Sequence, residues 1–198
     1  MPVALNPSER RKVCLAGEPE VGKTSLLRRL APQAAKTTAM PTMDATVTEW
    51  EVPVGRGPDR VEVWLTIWDV VGSPGPDELA DGAYFFAAQG VLAVGDLTRP
   101  ATIRALPTWI EAARRVAGSV PVVVLGNRAD LPFAPGADEA LTAIGQAFEA
   151  PIWRASARSG ENVEAAARGL AEAIVASSSR RRPAVSELPD GRAHRRIP

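Results

Sequence analysis

A glycine-rich stretch near the start of the chain dictates most of the architecture that follows it. Residues 17–24 read GEPEVGKT and match the pattern G-x-x-x-x-G-K-[ST] at every fixed position. The preceding run, residues 12–16, is mostly apolar and predicts a buried strand, and residues 25–30 have helical spacing. Strand, glycine loop and helix in this order are the context in which the motif binds phosphate. The sequence therefore predicts a phosphate-binding loop, with an ordinary glycine-containing turn as the alternative.

The residue types in this loop suit a nucleotide with bound Mg²⁺. Glycine at positions 17 and 22 permits backbone angles that are closed to other residues, so that successive N–H groups can point at phosphate oxygens. The helix that follows adds the positive end of its dipole. Lys23 supplies a point charge for the β- and γ-phosphates, and the Thr24 hydroxyl can ligate Mg²⁺. The predicted ligand contacts in this stretch are Glu20, Val21, Gly22, Lys23, Thr24 and Ser25.

Composition favours a cytoplasmic protein of one domain with tails. The chain has 198 residues and balances 23 basic against 23 acidic side chains, so its net charge indicates neither nucleic acid nor a membrane surface as a partner. Its single cysteine, Cys14, lies in the apolar first strand and is predicted to be core rather than reactive. No apolar run has the length of a membrane span, and residues 1–7 do not have the pattern of a signal peptide.

The first half of the chain predicts a hairpin after the loop. Residues 31–44 are rich in Ala, Thr and Pro without clear periodicity, and we expect a loop there. Two strand-like runs follow, at 45–54 and 60–68, and the second alternates apolar residues with period 2. Residues 55–59 lie between them and have turn chemistry. The two runs are therefore predicted to pair as an antiparallel hairpin.

The second half alternates strands with helices. Apolar runs at 90–95, 121–126 and 152–155 predict strands, and amphipathic patterns at 101–117, 137–148 and 163–177 predict helices. This alternation indicates a parallel sheet that is covered on both faces. The predicted fold is a doubly wound α/β domain with a mostly parallel, six-stranded sheet and one antiparallel edge strand, of the P-loop NTPase type.

We divide the chain into a lead-in at 1–11, the folded domain at 12–178 and a basic tail at 179–198. The tail has few apolar residues, and a segment of this kind cannot bury enough surface to offset the entropy of ordering. We expect it to be disordered and solvated, with weak attraction to anionic lipid or to an acidic partner as the alternative. The lone histidine, His194, lies in this tail, and we do not expect it to be catalytic.

Two further motifs come where predicted strands end. Asp69 closes the second hairpin strand and can hold Mg²⁺, usually through water, while the backbone N–H of Gly72 can reach a γ-phosphate. Alone, Asp-x-x-Gly is weak, because many strands end in such a turn. Asn127, Arg128 and Asp130 follow the most apolar strand, at the place where ligands of open α/β sheets bind.

The second of these motifs indicates the base. A carboxylate at Asp130 can accept hydrogen bonds from both N1–H and the 2-amino group of guanine, and adenine offers no such pair of donors. Asn127 can brace the loop, and the stem of Arg128 can lie over the ring. The alternative is a polar turn or helix cap, which Asn and Asp also favour. After the last strand, the N–H of Ala157 can reach the guanine O6, and its neighbours complete the predicted set: Ser156 and Arg158.

Taken in order, these motifs resemble the Ras-like small GTPases, and within them the Rab-type branch most of all. The resemblance covers residues 12–176 and includes 17–24, Thr42, 69–72, 127–130 and 156–158. It implies a switch that uses Mg²⁺ and alternates between GTP and GDP. It further implies that Thr42 binds Mg²⁺ and γ-phosphate only in the GTP state.

The resemblance also implies where partners bind. Residues 36–46 and 72–84 would change order as the γ-phosphate comes and goes, and would contact effectors, an activating protein and an exchange factor. The chain has no cysteine near its C-terminus, so we expect no lipid anchor. Together with the Ala/Arg-rich composition, this absence favours a prokaryotic member of the family.

The sequence departs from the family where hydrolysis is carried out. Ser73 stands directly after Gly72, where the family usually has a Gln that orients the attacking water. Pro19 and Glu20 replace small residues of the phosphate loop. The implied catalytic set is Lys23, Thr42, Gly72 and Ser73, and we expect slow intrinsic turnover. Two alternatives stay open: a module that binds GTP or GDP without useful hydrolysis, and a P-loop ATPase or kinase, against which Asp130 argues.

Overall fold

The computed structural model describes residues 10–30, 37–40, 45–55, 60–70, 75–81 and 84–181. Within these ranges the strands are β1 (Arg10–Ala16), β2 (Thr37–Met40), β3 (Ala45–Val54), β4 (Val61–Val70), β5 (Gly90–Asp96), β6 (Val122–Asn127) and β7 (Ile152–Arg154). The helices are α1 (Lys23–Leu30), α2 (Pro76–Asp81), α3 (Pro100–Arg104), α4 (Leu106–Ala117), α5 (Ala137–Phe148) and α6 (Val163–Arg181).

The strands form one sheet in the order β2-β3-β4-β1-β5-β6-β7. Strand β3 pairs antiparallel with both of its neighbours, and every other pairing is parallel. Two buried apolar clusters lie on opposite faces, one against α4 and α5 and the other against α1 and α6. The predicted doubly wound, mostly parallel sheet with one antiparallel strand is therefore confirmed.

The sheet has one strand more than the six that the sequence predicted. Strand β2 lies within 31–44, where we expected a loop, and residues Thr37–Met40 pair with Ala45–Thr48. Four residues are too few to show a period-2 apolar pattern, so an edge strand held by backbone pairing leaves little signal in the sequence. As a result, the antiparallel strand β3 lies one place in from the edge.

Burial along the strands follows their place in the sheet. In β4, Val63, Leu65 and Ile67 are buried while their neighbours are partly exposed, as the predicted alternation requires. Every residue of β5 and β6 is buried, because helices cover both faces of these central parallel strands. The candidate site residues described below come at the ends of strands in this buried sheet or directly after them.

The helices differ from the prediction at three places in the chain. The single helix expected at 101–117 is two helices, α3 and α4, that meet at Ala105, because Pro107 is tolerated only in the first turn of a helix. Helix α2 was not predicted, and its Leu79 is only 7% exposed against the apolar cluster beside α4. Helix α6 continues to Arg181, beyond the predicted end at 177.

The outer segments are described only in part. Arg10 and Arg11 belong to β1 rather than to a lead-in, and residues 1–9 and 182–198 lie outside the described residues. The predicted disorder of the tail, and the place of His194, therefore stay predictions. None of the helices in the described part of the chain combines the length and the apolar character that a membrane span requires.

Cys14 is a core residue, as predicted. Its side chain is fully buried in β1, and its thiol donates a hydrogen bond to the carbonyl oxygen of Tyr84 (3.3 Å). Burial raises the pKa of the Cys14 thiol from 9.0 to about 12, and the nearby Lys12 charge offsets part of that rise. The thiolate, which is the reactive form, is therefore scarce at neutral pH.

We expect folded protein at pH 7.5 to resist alkylation by iodoacetamide, and urea-unfolded protein to be modified fully. Because Cys14 is the only cysteine, intact mass reports this reaction without ambiguity. Since the pKa in the folded state lies above the unfolded value, the stability contributed by the neutral thiol is present below pH 9. It is lost as the pH rises toward 12. Rapid stoichiometric modification of the folded protein would contradict the buried placement.

Candidate functional site

The polar residues singled out from the sequence converge on one edge of the sheet. Gly17 follows β1, Asp69 lies near the end of β4, Asn127 ends β6 and Ser156 follows β7. These four strands are parallel, so their carboxyl ends meet at the same edge. This edge is where open α/β sheets bind ligands.

Glycine is required at two positions of the phosphate loop, because the backbone has positive φ there and because neighbouring atoms leave no room for a Cβ atom. Gly17 has φ +136°, and a Cβ placed there would lie 2.1 Å from the carbonyl oxygen of Val94. Gly22 has φ +96°, and a Cβ there would lie 2.3 Å from Nδ2 of Asn127. The loop therefore packs directly against β5 on one side and against the end of β6 on the other.

Lys23 begins helix α1, and its cation turns back over the loop. The Nζ atom donates hydrogen bonds to the carbonyl oxygens of Gly17 (2.7 Å) and Glu18 (2.9 Å). Burial lowers the pKa of the Lys23 ammonium, and the carboxylates of Asp69 and Glu18 offset part of the shift. A cation that is partly stripped of water and donates its hydrogen bonds to backbone carbonyls is well suited to exchange these partners for phosphate oxygens.

Thr24 and Asp69 meet beside this lysine. The Thr24 hydroxyl donates to Oδ2 of Asp69 (2.5 Å), and Asp69 is only 3% exposed. Within the described part of the chain, Oδ1 of Asp69 is buried with no hydrogen-bond partner. Burial raises the pKa of Asp69, while the Thr24 bond and the charges of Lys23 and Arg28 lower it. An orphaned carboxylate oxygen next to a hydroxyl fits the oxygen ligands that Mg²⁺ prefers.

A pocket of about 350 Å³ adjoins the phosphate loop. Its lining includes eight residues from the loop, from the turn after β6 and from the turn after β7: Gly22, Ser25, Asn127, Arg128, Asp130, Leu131, Ala157 and Arg158. Asn127 is 2% exposed and joins these elements, because its Nδ2 donates to the Val21 carbonyl (2.8 Å) while its Oδ1 accepts from the N–H of Ala157 (3.1 Å). One amide thus bonds the phosphate loop to the far wall of the pocket.

Asp130 is oriented by the turn after β7. Its Oδ1 accepts a hydrogen bond from the Ser156 hydroxyl (2.6 Å), and the same hydroxyl accepts from the N–H groups of Arg158 and Ser159. The other oxygen, Oδ2, lies 3.9 Å from the Arg158 guanidinium. The carboxylate is thereby fixed at the pocket, and in the described part of the chain its Oδ2 accepts no short hydrogen bond.

Two predicted contacts take a different form in the structure. The N–H of Ala157, expected to face a guanine O6, donates to Asn127, so a ligand oxygen would have to share it. Arg128 lines the pocket, but its guanidinium donates to the carbonyl oxygen of Glu20 (2.9 Å) and lies 3.1 Å from the Asp96 carboxylate. The Arg128 guanidinium therefore holds the phosphate loop in place, and only the rest of its side chain is left to line the pocket.

Sequence reasoning missed two residues that contact this loop and a third, Asp96, that binds one of them. The indole N–H of Trp109 donates to the Glu18 carboxylate (2.9 Å), and Arg99 donates to the carbonyl oxygen of Pro19 (3.4 Å). Asp96 ends the buried strand β5 and binds Arg99. A signal for Asp96 was present, since it follows an apolar strand at the same edge as Asn127.

Three members of the predicted catalytic set cannot be placed. Thr42, Gly72 and Ser73 lie outside the described residues, and the two predicted partner-binding segments, 36–46 and 72–84, are described only in part. The predicted hydrolytic roles of all four residues, including Lys23, therefore stay predictions.

Comparison with known proteins bears on the same residues. Residues 12–130 match the family described as "Ras of Complex, Roc, domain of DAPkinase", a range that runs from β1 through Asp130. The chain is also similar to "Ras-related protein Rab-36" of Mus musculus. The two are 28% identical over 192 residues, which cover 91% of this chain and 69% of the mouse protein.

Proposed function

Because the chain belongs to the Ras-like small GTPases, in their Rab-like branch, we propose that it is a cytoplasmic guanine-nucleotide switch with slow intrinsic turnover. Proteins of this family bind GTP and hydrolyse it, so the proposal concerns which residues do this here and how fast. The observation that carries it is the Asn127 amide, which bonds the phosphate loop and the base pocket into one continuous cleft. A cleft of this kind can hold a phosphate chain at one end and a base at the other.

Base selection is assigned to Asp130. Its carboxylate accepts from N1–H and the 2-amino group of guanine, and Ser156 holds it in place to do so. Adenine would leave the carboxylate unpaired, and an unpaired charged acceptor carries most of the penalty that rejects a wrong ligand. The walls of the base site are Asn127, Arg128, Ala157 and Arg158.

Phosphate binding is assigned to the loop and to Lys23. The Nζ atom exchanges the carbonyl oxygens of Gly17 and Glu18 for oxygens of the β- and γ-phosphates. Thr24 and Asp69 are the residues that would hold Mg²⁺, since their oxygens already meet and one carboxylate oxygen has no hydrogen-bond partner among the described residues. Mg²⁺ bound there would neutralise part of the negative charge on the two terminal phosphates.

Slow hydrolysis follows from Ser73 in the position of the family's Gln. A water that attacks the γ-phosphate must be held in line, and the short Ser73 hydroxyl does not extend as far as Gln. Thr42 and Gly72 are proposed to contact the γ-phosphate, and a partner is proposed to supply an arginine or a water-positioning residue. Residues 36–46 and 72–84 are the proposed contact surface for that partner, for effectors and for an exchange factor.

We expect single-turnover hydrolysis of about 10⁻⁴ per second for the isolated protein with Mg²⁺. Replacing Ser73 with Gln should raise this rate by roughly tenfold or more, because water positioning contributes at least that much. The matched control is Ser73→Ala, which should leave the rate unchanged. Phosphate release after rapid mixing with γ-labelled GTP measures all three proteins.

The other outcomes discriminate between functions. Turnover above about one per second in the unmodified protein would refute slow hydrolysis. If Ser73→Gln leaves the rate unchanged, the water is handled elsewhere and the altered segment serves partner recognition. Tight binding with no measurable hydrolysis would instead support the alternative favoured by Ser73 and Pro19, a module that holds GTP or GDP without using it.

A further inference from the structure

A buried carboxylate lies beneath the phosphate loop and takes no part in the contacts assigned above. Asp96 is 0% exposed at the end of β5. Its Oδ1 accepts from the N–H (2.8 Å) and the hydroxyl (2.7 Å) of Thr98. Its Oδ2 accepts from Nε of Arg99 (2.8 Å) and lies 3.1 Å from the guanidinium of Arg128. One carboxylate thus anchors two arginines that come from different loops.

Both arginines reach the phosphate loop from this anchor. Arg99 donates to the carbonyl oxygen of Pro19 (3.4 Å), and Arg128 donates to the carbonyl oxygen of Glu20 (2.9 Å). The carbonyl groups of two consecutive loop residues therefore both point toward the side where Arg99 and Arg128 lie. In a trans peptide the N–H points opposite to the carbonyl, so the N–H groups of Glu20 and Val21 are directed away from the arginines.

The loop backbone needs such support at this point. Glu20 has φ +62°, in the left-handed region that disfavours residues with a Cβ. Glycine would adopt this conformation without strain. A glutamate keeps it only where contacts with neighbouring residues hold its backbone angles in place. The hydrogen bonds from Arg99 to the Pro19 carbonyl and from Arg128 to the Glu20 carbonyl fix the backbone before and after the Glu20 Cα atom.

The charges of the cluster are mutually dependent. Burial alone raises the pKa of Asp96, but hydrogen bonds from Thr98 and Arg99 and the charge of Arg128 more than offset it, so the pKa is below its ordinary value. The carboxylate is therefore ionised at neutral pH and balances two guanidinium groups that would otherwise repel each other. Removal of its charge leaves both arginines without their shared partner.

We propose that Asp96 and Arg99 are positioning residues for the nucleotide: with Arg128 they form a clamp that holds Pro19 and Glu20 so that the loop N–H groups stay directed at the phosphates. The clamp acts through the loop and does not touch the ligand. This inference rests on the proposed function, because it assigns the clamp a role in binding a guanosine diphosphate or triphosphate.

The test is the dissociation rate of a fluorescent GDP analogue in the presence of Mg²⁺. Arg99→Ala should speed dissociation by about tenfold, the effect of losing a charged hydrogen bond, and Asp96→Asn should speed it at least as much. Arg99→Lys should rescue only partly, because an ammonium lacks the planar fork that reaches both Asp96 and Pro19. Arg104→Ala, at an exposed position of α3, is the matched control and should leave the rate unchanged.

A second background separates positioning from general destabilisation. Glu20→Gly removes the strained residue, so Arg99→Ala should speed dissociation far less in this background than in the unmodified protein. A purely structural role for Arg99 would instead lower the melting temperature equally in both backgrounds and leave the GDP dissociation rate unchanged. That result would overturn the inference, and so would an equal effect of Arg99→Ala with and without Glu20→Gly.

Failure of the proposed function gives a different result. If the unmodified protein does not retain GDP, the proposed function fails, and the clamp has no nucleotide to position. If the unmodified protein retains GDP and the Arg99 variants release it at the same rate, only the clamp is wrong. Should Arg99→Ala not fold, Arg99→Lys and Asp96→Asn provide the same comparison.

Discussion

Replacing Asp130 with Asn is expected to lower the affinity for GDP by two orders of magnitude or more. The change removes the charged acceptor that we propose for two hydrogen bonds from guanine and would place an amide N–H₂ against the 2-amino group. A site built for such donors discriminates by roughly 10⁴ or more. The Ser156 hydroxyl, which donates to Asp130, can still donate to the Asn oxygen, so the fold should be retained. Calorimetry with GDP and ADP measures the change.

A gain of binding makes this test sharper. Xanthine carries an oxygen where guanine carries the 2-amino group, so the amide N–H₂ of Asp130→Asn can donate to it while the amide oxygen accepts from N1–H. The variant should therefore bind xanthosine diphosphate better than the unmodified protein does. Glu139→Gln, at an exposed position in the first turn of α5, is the control and should bind GDP normally. Unchanged GDP affinity in Asp130→Asn would remove this residue from the base site.

Replacing Lys23 with Ala is expected to weaken GTP binding by roughly two to three orders of magnitude, as for the truncation of one partner in a buried charged pair. The empty protein should not lose stability. Among the described residues, the Nζ atom of Lys23 donates hydrogen bonds to the loop carbonyls of Gly17 and Glu18, and burial lowers the pKa of its ammonium because it disfavours the charged form. Thermal unfolding without ligand and calorimetry with GTP and Mg²⁺ separate the two effects.

Lys12 offers a matched control for this change. It is also a partly buried lysine whose pKa is lowered by burial, but its Nζ donates to the carbonyl oxygen of Phe86 at the opposite end of β1. Lys12→Ala should leave GTP affinity unchanged. If Lys12→Ala and Lys23→Ala weakened GTP binding equally, the loss would reflect a general effect of removing a buried lysine rather than a contact with phosphate.

Local pattern and motif chemistry were enough to predict the centre of this fold. The phosphate-loop motif has its own strand and helix as context, and the apolar runs of β5 and β6 could only be buried strands. Strand β2 was not predicted, because four residues at the edge of a sheet are too few to show an alternating apolar pattern. The break between α3 and α4 shows the limit of an amphipathic pattern, which continues across Ala105 although one helix ends and the next begins there.

The residues of the candidate site likewise fall into those that the sequence could predict and those that it could not. Residues within contiguous motifs, such as Asn127 and Asp130, could be singled out because each motif carries its chemistry in sequence. The clamp could not, because it depends on β5 lying between β1 and β6, which brings Asp96 to the edge of the sheet where Arg99 and Arg128 link it to the phosphate loop. Nor does the sequence show that Glu20 has a left-handed backbone, since glycine is the residue expected there.

The most direct test of the account is the choice between guanine and adenine nucleotides by the purified protein. Bound nucleotide is released by denaturation and identified by chromatography, and the emptied protein is titrated with GTP or ATP and Mg²⁺ while its melting temperature is followed. We predict that only guanine nucleotides co-purify and that GTP raises the melting temperature at concentrations where ATP has no effect. Equal stabilisation by GTP and ATP would contradict the account, because the pocket at Asp130 would then not select the base.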